Sequence, residues 1–151
     1  MTTIEVRDLL YEYAVKFTGI TEYGVSLQSL IAGEAAPPLE GAGFDVAFEG
    51  PATGPRLKGN VTGVDYARVR ADGRFQLHIH AQITTDDGEH IALFADGVIL
   101  PREGSSIADI RENVTLSTSS KRYAWVNTLQ VWATGTVDLL EQVVRLKGYS
   151  A

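Results

Sequence analysis

Residues 63–88 read GVDYARVRADGRFQLHIHAQITTDDG. Two runs of alternating apolar and polar residues flank Asp72-Gly73, and a second pair, Asp87-Gly88, closes the stretch. Asp-Gly between alternating runs is the strongest short-range hairpin signal, because both residues accept the backbone angles of a tight turn. The stretch is therefore a β-meander. Successive strand side chains face opposite sides of a sheet. Phe75, Leu77, Ile79, Ala81 and Ile83 therefore share one face, and Gln76, His78, His80 and Gln82 the other.

Outward from this hairpin the same period continues. Leu9 to Phe17 predicts a first strand with Tyr11, Tyr13, Val15 and Phe17 on one face, and glycines follow at 19 and 24. Val25 to Gly33 is open between a strand and a short helix capped by Ser26; the helix is the preferred reading. Gly41 to Pro55 contributes Phe44, Val46 and Phe48 in alternation before two Gly-Pro turn clusters. Further strands are expected over Arg56–Val61, Asp65–Arg70, Phe75–Thr84, His90–Ile99, Asn113–Ser117, Arg122–Thr134 and Gln142–Tyr149, with a helical turn over Ser105–Arg111. No strand-helix alternation suggests a parallel sheet, and closing a meander removes its edges. The expected fold is mainly all-β: a single closed antiparallel β-barrel of about eight to nine strands, with one or two short helices.

Composition narrows the function. The chain's 151 residues, 44% of them hydrophobic, suit one domain spanning 1–151. Thirteen Lys and Arg against nineteen Asp and Glu give a net charge of -6. No basic run follows a phosphate backbone, so no nucleic-acid partner is expected. No cysteine is present, which removes disulfides, thiolate metal sites and cysteine nucleophiles. No apolar run approaches the roughly 18 residues of a membrane span, and residues 1–10 are not signal-like. A cytoplasmic protein without a membrane partner is the expectation. The sequence also lacks a glycine-rich phosphate loop, a nucleophile elbow and a dinucleotide fingerprint, so no cofactor is expected.

Residues 54–61 (GPRLKGNV), 64–66 (VDY), 70–73 (RADG), 84–88 (TTDDG) and 123–127 (YAWVN), in this order and spacing, resemble the family catalogued as domain of unknown function 3237. The resemblance covers about residues 10–149. It implies a calycin-like, lipocalin-like barrel whose interior holds a small organic ligand, and it implies no particular reaction. The chain departs from the commoner pattern in its longer segment Val25 to Leu39, and in placing His78 and His80 where acidic and basic residues often sit.

Candidate site residues follow from faces. On a strand, Tyr123, Trp125 and Asn127 share a face that continues through the apolar Leu129, Val131 and Ala133, so they would point into the core or barrel. A buried amide without partners costs about 1–3 kcal/mol, so Asn127 either bonds backbone or awaits a ligand, while Tyr123 and Trp125 are core aromatics or line a cavity mouth. Asp65 shares a face with Ala67 and Val69 and is either a buried general base or a paired brace. His78 and His80 either share a site for proton transfer or ligand contact, or stand in solvent; a metal would need a third ligand, and none is expected. Tyr11 and Tyr13 offer phenols to a pocket or pack in the core. The candidate catalytic set is thus Asp65, His80, Tyr123 and Asn127, and the candidate substrate-binding set is His78, Trp125, Tyr13 and Tyr11.

The expected function is a cofactor-independent enzyme moving protons on a small hydrophobic carbonyl compound, of isomerase, hydratase or carbon–carbon lyase type. The alternatives are a non-catalytic carrier of a hydrophobic ligand and a structural oligomer subunit. A homodimer is expected, with Trp132 on an outer face.

Overall fold

The computed structural model describes residue 3 and residues 5–150; the remaining positions of the expected 1–151 domain lie outside the described residues. Eight strands form one closed antiparallel barrel in chain order, β1 pairing with both β2 and β8. They are β1 (Leu9–Glu22), β2 (Ala42–Thr53), β3 (Gly59–Val69), β4 (Phe75–Thr85), β5 (His90–Pro101), β6 (Ile107–Ser117), β7 (Val131–Asp138) and β8 (Val143–Ser150). The Asp-Gly turns stand where the sequence places them. Gly73 and Gly88 take φ of +90° and +89°, angles that a Cβ makes unfavourable, and their N–H groups close on the carbonyls of Arg70 and Thr85.

Eight strands replace the upper count of nine because Arg56–Val61 and Asp65–Arg70 are not separate. β3 runs through Gly63 without a turn, and there a Cβ would stand 2.4 Å from that of Ala81 on β4. Glycine at this point marks the close approach of two strands rather than a loop. The helical turn expected over Ser105–Arg111 is likewise corrected, since β6 begins at Ile107. The expected strand Arg122–Thr134 is corrected to a 3₁₀ turn, Ala124–Thr128, followed by β7. Val25–Gly33 holds the short helix α1 (Leu27–Ile31), with the Ser26 hydroxyl accepting the Ser29 N–H at 3.2 Å.

Alternation decides what lies inside. The inward rows are Tyr11, Tyr13 and Val15 on β1, Val61, Asp65, Ala67 and Val69 on β3, Leu77, Ile79 and Ile83 on β4, and Ala108, Ile110, Glu112, Val114 and Leu116 on β6. One end of the barrel is filled by Leu57, Ile83, Ile91 and Leu116, and Val126 of the 3₁₀ turn inserts there as a fully buried plug. At the other end α1 lies over a second apolar cluster that includes Phe44, Val46 and Val69. The barrel is thus packed at its base and hollow towards α1. No helix among the described residues is long and apolar enough to cross a membrane.

The base depends on one tight contact. A Cβ on Gly148 of β8 would fall 2.5 Å from the Tyr11 ring, which lies stacked on Tyr13 with ring centroids 5.6 Å apart. Alanine normally favours a strand over glycine. Here Gly148→Ala is expected to lower stability by about 1–3 kcal/mol through overpacking. Urea denaturation checks this, and an unchanged or raised midpoint contradicts the packing.

Candidate functional site

The hollow part of the barrel is a cavity of about 700 Å³. That is within the usual range of small-molecule sites. Its wall is apolar over most of its extent, including Phe48, Leu77, Ile110 and Leu146, with Leu27 and Leu30 of α1 at the mouth. Three inward polar side chains interrupt that wall: Tyr13 from β1, Asp65 from β3 and Glu112 from β6.

Each arrives there by strand register. Asp65 stands opposite Val46 on β2 and Ile79 on β4, both inward. The β3–β4 ladder lapses between the Asp65–Ile79 and Arg68–Gln76 pairs, and the His78 N–H donates to Asp65 Oδ1 at 2.9 Å. Glu112 stands opposite Gly97 on β5 and Ala133 on β7, and a Cβ on Gly97 would fall 1.9 Å from the Arg111 carbonyl oxygen, so β5 and β6 approach closely beside it. Both of its carboxyl oxygens are buried without a hydrogen-bond partner. The Tyr11 hydroxyl, in the packed base next to Tyr13, is also buried without a partner.

Burial dominates the electrostatics. Removal from water pushes Asp65 up from an ordinary 3.8 to about 6, partly opposed by the His78 N–H. Desolvation, and then the charge of Asp65, push Glu112 up from 4.5 to about 8. Near neutral pH the floor therefore carries one carboxylate and one carboxylic acid. Tyr13 is raised well above the normal phenol range by burial, then by Glu112, Tyr11 and Asp65, so it remains a neutral hydroxyl. Tyr11 is raised in the same way by burial and by Glu112.

The structure thus gathers Asp65 and Tyr13 on one cavity wall, with Tyr11 stacked beneath. The other expected site residues are elsewhere. His78 and His80 are exposed on the outer face of β4; the His80 ring meets Phe94 edge-on at 5.1 Å and Tyr66 at 5.7 Å. Among the described residues no group of three His, Asp or Glu side chains is placed to hold a metal. The inward aim expected for Tyr123, Trp125 and Asn127 is corrected, because the 3₁₀ turn breaks their alternation. Asn127 spends its amide on the backbone: it accepts the Thr118 N–H and donates to the Thr118 carbonyl, both at 2.8 Å. Tyr123 donates to Asp87 at 2.8 Å, and Asp87 also accepts from Thr85 and Arg122. Trp125 lies beneath the Arg56 guanidinium at 3.7 Å. These contacts pin the turn that carries the Val126 plug.

Glu112 is the residue that the sequence reading missed. A helical turn over Ser105–Arg111 divides the run Ala108, Ile110, Glu112, Val114, Leu116 and leaves its single carboxylate between elements. Read as one strand, the alternation puts a glutamate on an otherwise apolar face.

Both buried carboxyls have a higher pKa folded than unfolded, so the native state keeps protons that the unfolded chain releases. Their contribution to stability is full below the unfolded values and declines as pH rises, to about 6 for Asp65 and about 8 for Glu112. Glu112→Gln removes the upper part of this decline. At pH 9 the variant is expected to exceed wild type by about 2–4 kcal/mol, at ~1.4 kcal/mol per pK unit. The two proteins converge at pH 4–5; parallel urea midpoints across the whole range contradict the assignment.

Solved structures share this barrel. A β-barrel-like protein from Acinetobacter baumannii AYE matches with a TM-score of 0.74 at 19% identity, covering 99% of this chain and 98% of its own. A protein of unknown function from Clostridium acetobutylicum ATCC 824 matches with a TM-score of 0.76 at 21% identity, covering 95% and 97%. An enzyme from Penicillium herquei matches with a TM-score of 0.62 at 20% identity, covering 99% and 98%. Identities this low establish the fold alone. No curated protein matches the chain. Residues 40–150, from just before β2 to the end of β8, match the family model described as protein of unknown function (DUF3237), and the chain belongs to that family.

Proposed function

We propose that the protein is a cofactor-independent enzyme that moves protons on a small hydrophobic carbonyl compound held in the barrel. The observation that carries this reading is the pairing of Asp65 and Glu112 in one apolar cavity, with pKa values drawn apart to about 6 and about 8. Two titratable groups held in opposite protonation states near neutral pH suit a base and an acid acting together. The Penicillium herquei barrel, which is an enzyme, supports catalysis on this architecture.

In the first step the Asp65 carboxylate removes a proton from the carbon beside the carbonyl. The C–H electron pair becomes the carbon–carbon double bond of an enol, and the carbonyl oxygen takes the Glu112 proton. Tyr13 donates a hydrogen bond to that oxygen as charge develops on it. Leu27 and Leu30 of α1 limit water at the mouth. With an unsaturated carbonyl compound the enol is a dienol, and Asp65 returning its proton to the far carbon, while the enol oxygen gives its proton back to Glu112, completes an isomerisation. In a hydratase water adds to the β carbon of an unsaturated carbonyl compound to form the same enol, and in a carbon–carbon lyase Asp65 takes a β-hydroxyl proton as the carbon–carbon bond breaks to form it. His80, Tyr123 and Asn127 take no part, because each faces away from the cavity or is held by the chain's own backbone and side chains. The same reading takes the protein to be cytoplasmic, and the exposed Trp132 on the outer wall favours a homodimer. The large apolar wall also suits a carrier, which would bind the same compounds without turning them over.

Deuterium exchange separates the two readings. Hydrophobic ketones such as 4-phenylbutan-2-one, incubated in D₂O with the protein, are expected to exchange the hydrogens beside the carbonyl, with a bell-shaped rate profile between pH about 6 and about 8. Loss of one acid or base group typically costs about 10²–10⁴-fold. Asp65→Asn should fall in that range, whereas His80→Ala and Asn127→Ala variants that remain folded should not. Binding without exchange in wild type supports the carrier.

A further inference from the structure

The polar groups of the cavity are one-sided in charge. Tyr13, Asp65 and Glu112 are its inward polar side chains from β1, β3 and β6, while those from β2, β4, β7 and β8 include Phe44, Leu77, Val137 and Leu146 and are apolar. The lining cation is Arg102, in the loop at the mouth. Its guanidinium is engaged by both carboxylate oxygens of Asp109, at 3.1 and 2.7 Å. Among the described residues, therefore, no positive side chain faces the floor.

Glu112 sharpens the point. Its two oxygens are buried in the cavity wall with no donor to either. A buried carboxyl in this state is costly when ionised and leaves acceptors unused when neutral. An ammonium group would supply both what the floor lacks, a positive charge and three N–H donors, while an apolar body filled the remaining wall. A ligand carboxylate or phosphate would instead set another negative charge against Asp65, with no cation to offset it.

We propose that the cavity selects its ligands by charge: it takes hydrophobic amines as their ammonium ions, seated between Asp65 and Glu112, and rejects the carboxylates of the same skeleton. This rests on the cavity being the functional site and extends it to a second ligand class, one that competes with the carbonyl substrate. The ammonium N–H groups donate to the Asp65 and Glu112 oxygens, and the Tyr13 oxygen is a further acceptor on the same wall.

Calorimetry at pH 7 with the full chain and three matched probes tests this: 3-phenylpropylamine, 3-phenylpropanoate and 4-phenylbutan-2-one. The amine is expected to bind at least about tenfold more tightly than the carboxylate, a difference of about 1.4 kcal/mol. Glu112→Gln, which keeps shape and burial but removes the acid, is expected to weaken the amine about tenfold and the uncharged ketone by clearly less. Asp65→Asn should weaken the amine similarly, which gives a second readout if one variant fails to fold. Equal affinities for amine and carboxylate, or amine binding untouched by both substitutions, would overturn the proposal. If the amine fails while the ketone still exchanges deuterium, charge selection falls and the proton-transfer reading stands. If neither amine nor ketone binds, both fall together.

Discussion

An eight-stranded sheet that closes on itself gives every strand two neighbours and leaves a single interior shared by all inward-facing side chains. Any polar residue in an inward register position must then be satisfied inside the barrel or remain exposed only to its cavity. At the base the demand is met by exclusion: Leu57, Ile83, Ile91, Leu116 and Val126 fill the space and bring no polar atoms. Halfway up, the inward rows of β1, β3 and β6 reach Tyr13, Asp65 and Glu112, and filling stops. The same alternation that packs the base thus puts two carboxyls where the hollow begins.

Retaining those carboxyls is energetically unfavourable. Desolvation is the largest cause of the upward shift in each, and Asp65 receives one backbone N–H where Glu112 receives none. The unequal support separates their protonation states. An apolar residue at either position would pack without this cost, so stability alone does not account for a glutamate opposite Gly97 and Ala133. The proposed ligands would make use of the unpaired oxygens.

Much of the barrel was legible because strand alternation is a local signal. The Asp-Gly turns fixed the β3–β4–β5 meander, the tyrosines of β1 fell on the inward face, and Ser26 marked the start of α1. The failures share a physical origin. Tyr123 to Ala133 can be read with a period of two, yet the chain there turns in a 3₁₀ helix, in which Val126 plugs the barrel's end and Asn127 satisfies the Thr118 backbone. Pattern cannot distinguish an aromatic that faces a cavity from one that pins a turn through Asp87 or Arg56. On β4 the two histidines stood out as chemistry-bearing residues, but register puts them outside with Phe94 and Tyr66. Glu112 went unseen because it lay at a misplaced boundary, whereas Asp65 was found because its neighbours Ala67 and Val69 were already assigned to one strand.

Asp65 and Glu112 are buried together at the floor of the cavity and are held in different protonation states near neutral pH. Carboxyl carbon-13 NMR across a pH titration of the intact protein reads this directly. Two carboxyl resonances titrating near 6 and near 8, the first absent from Asp65→Asn and the second from Glu112→Gln, are the expected result. If every carboxyl titrates below pH 5, both groups are solvated and the barrel has no such buried floor.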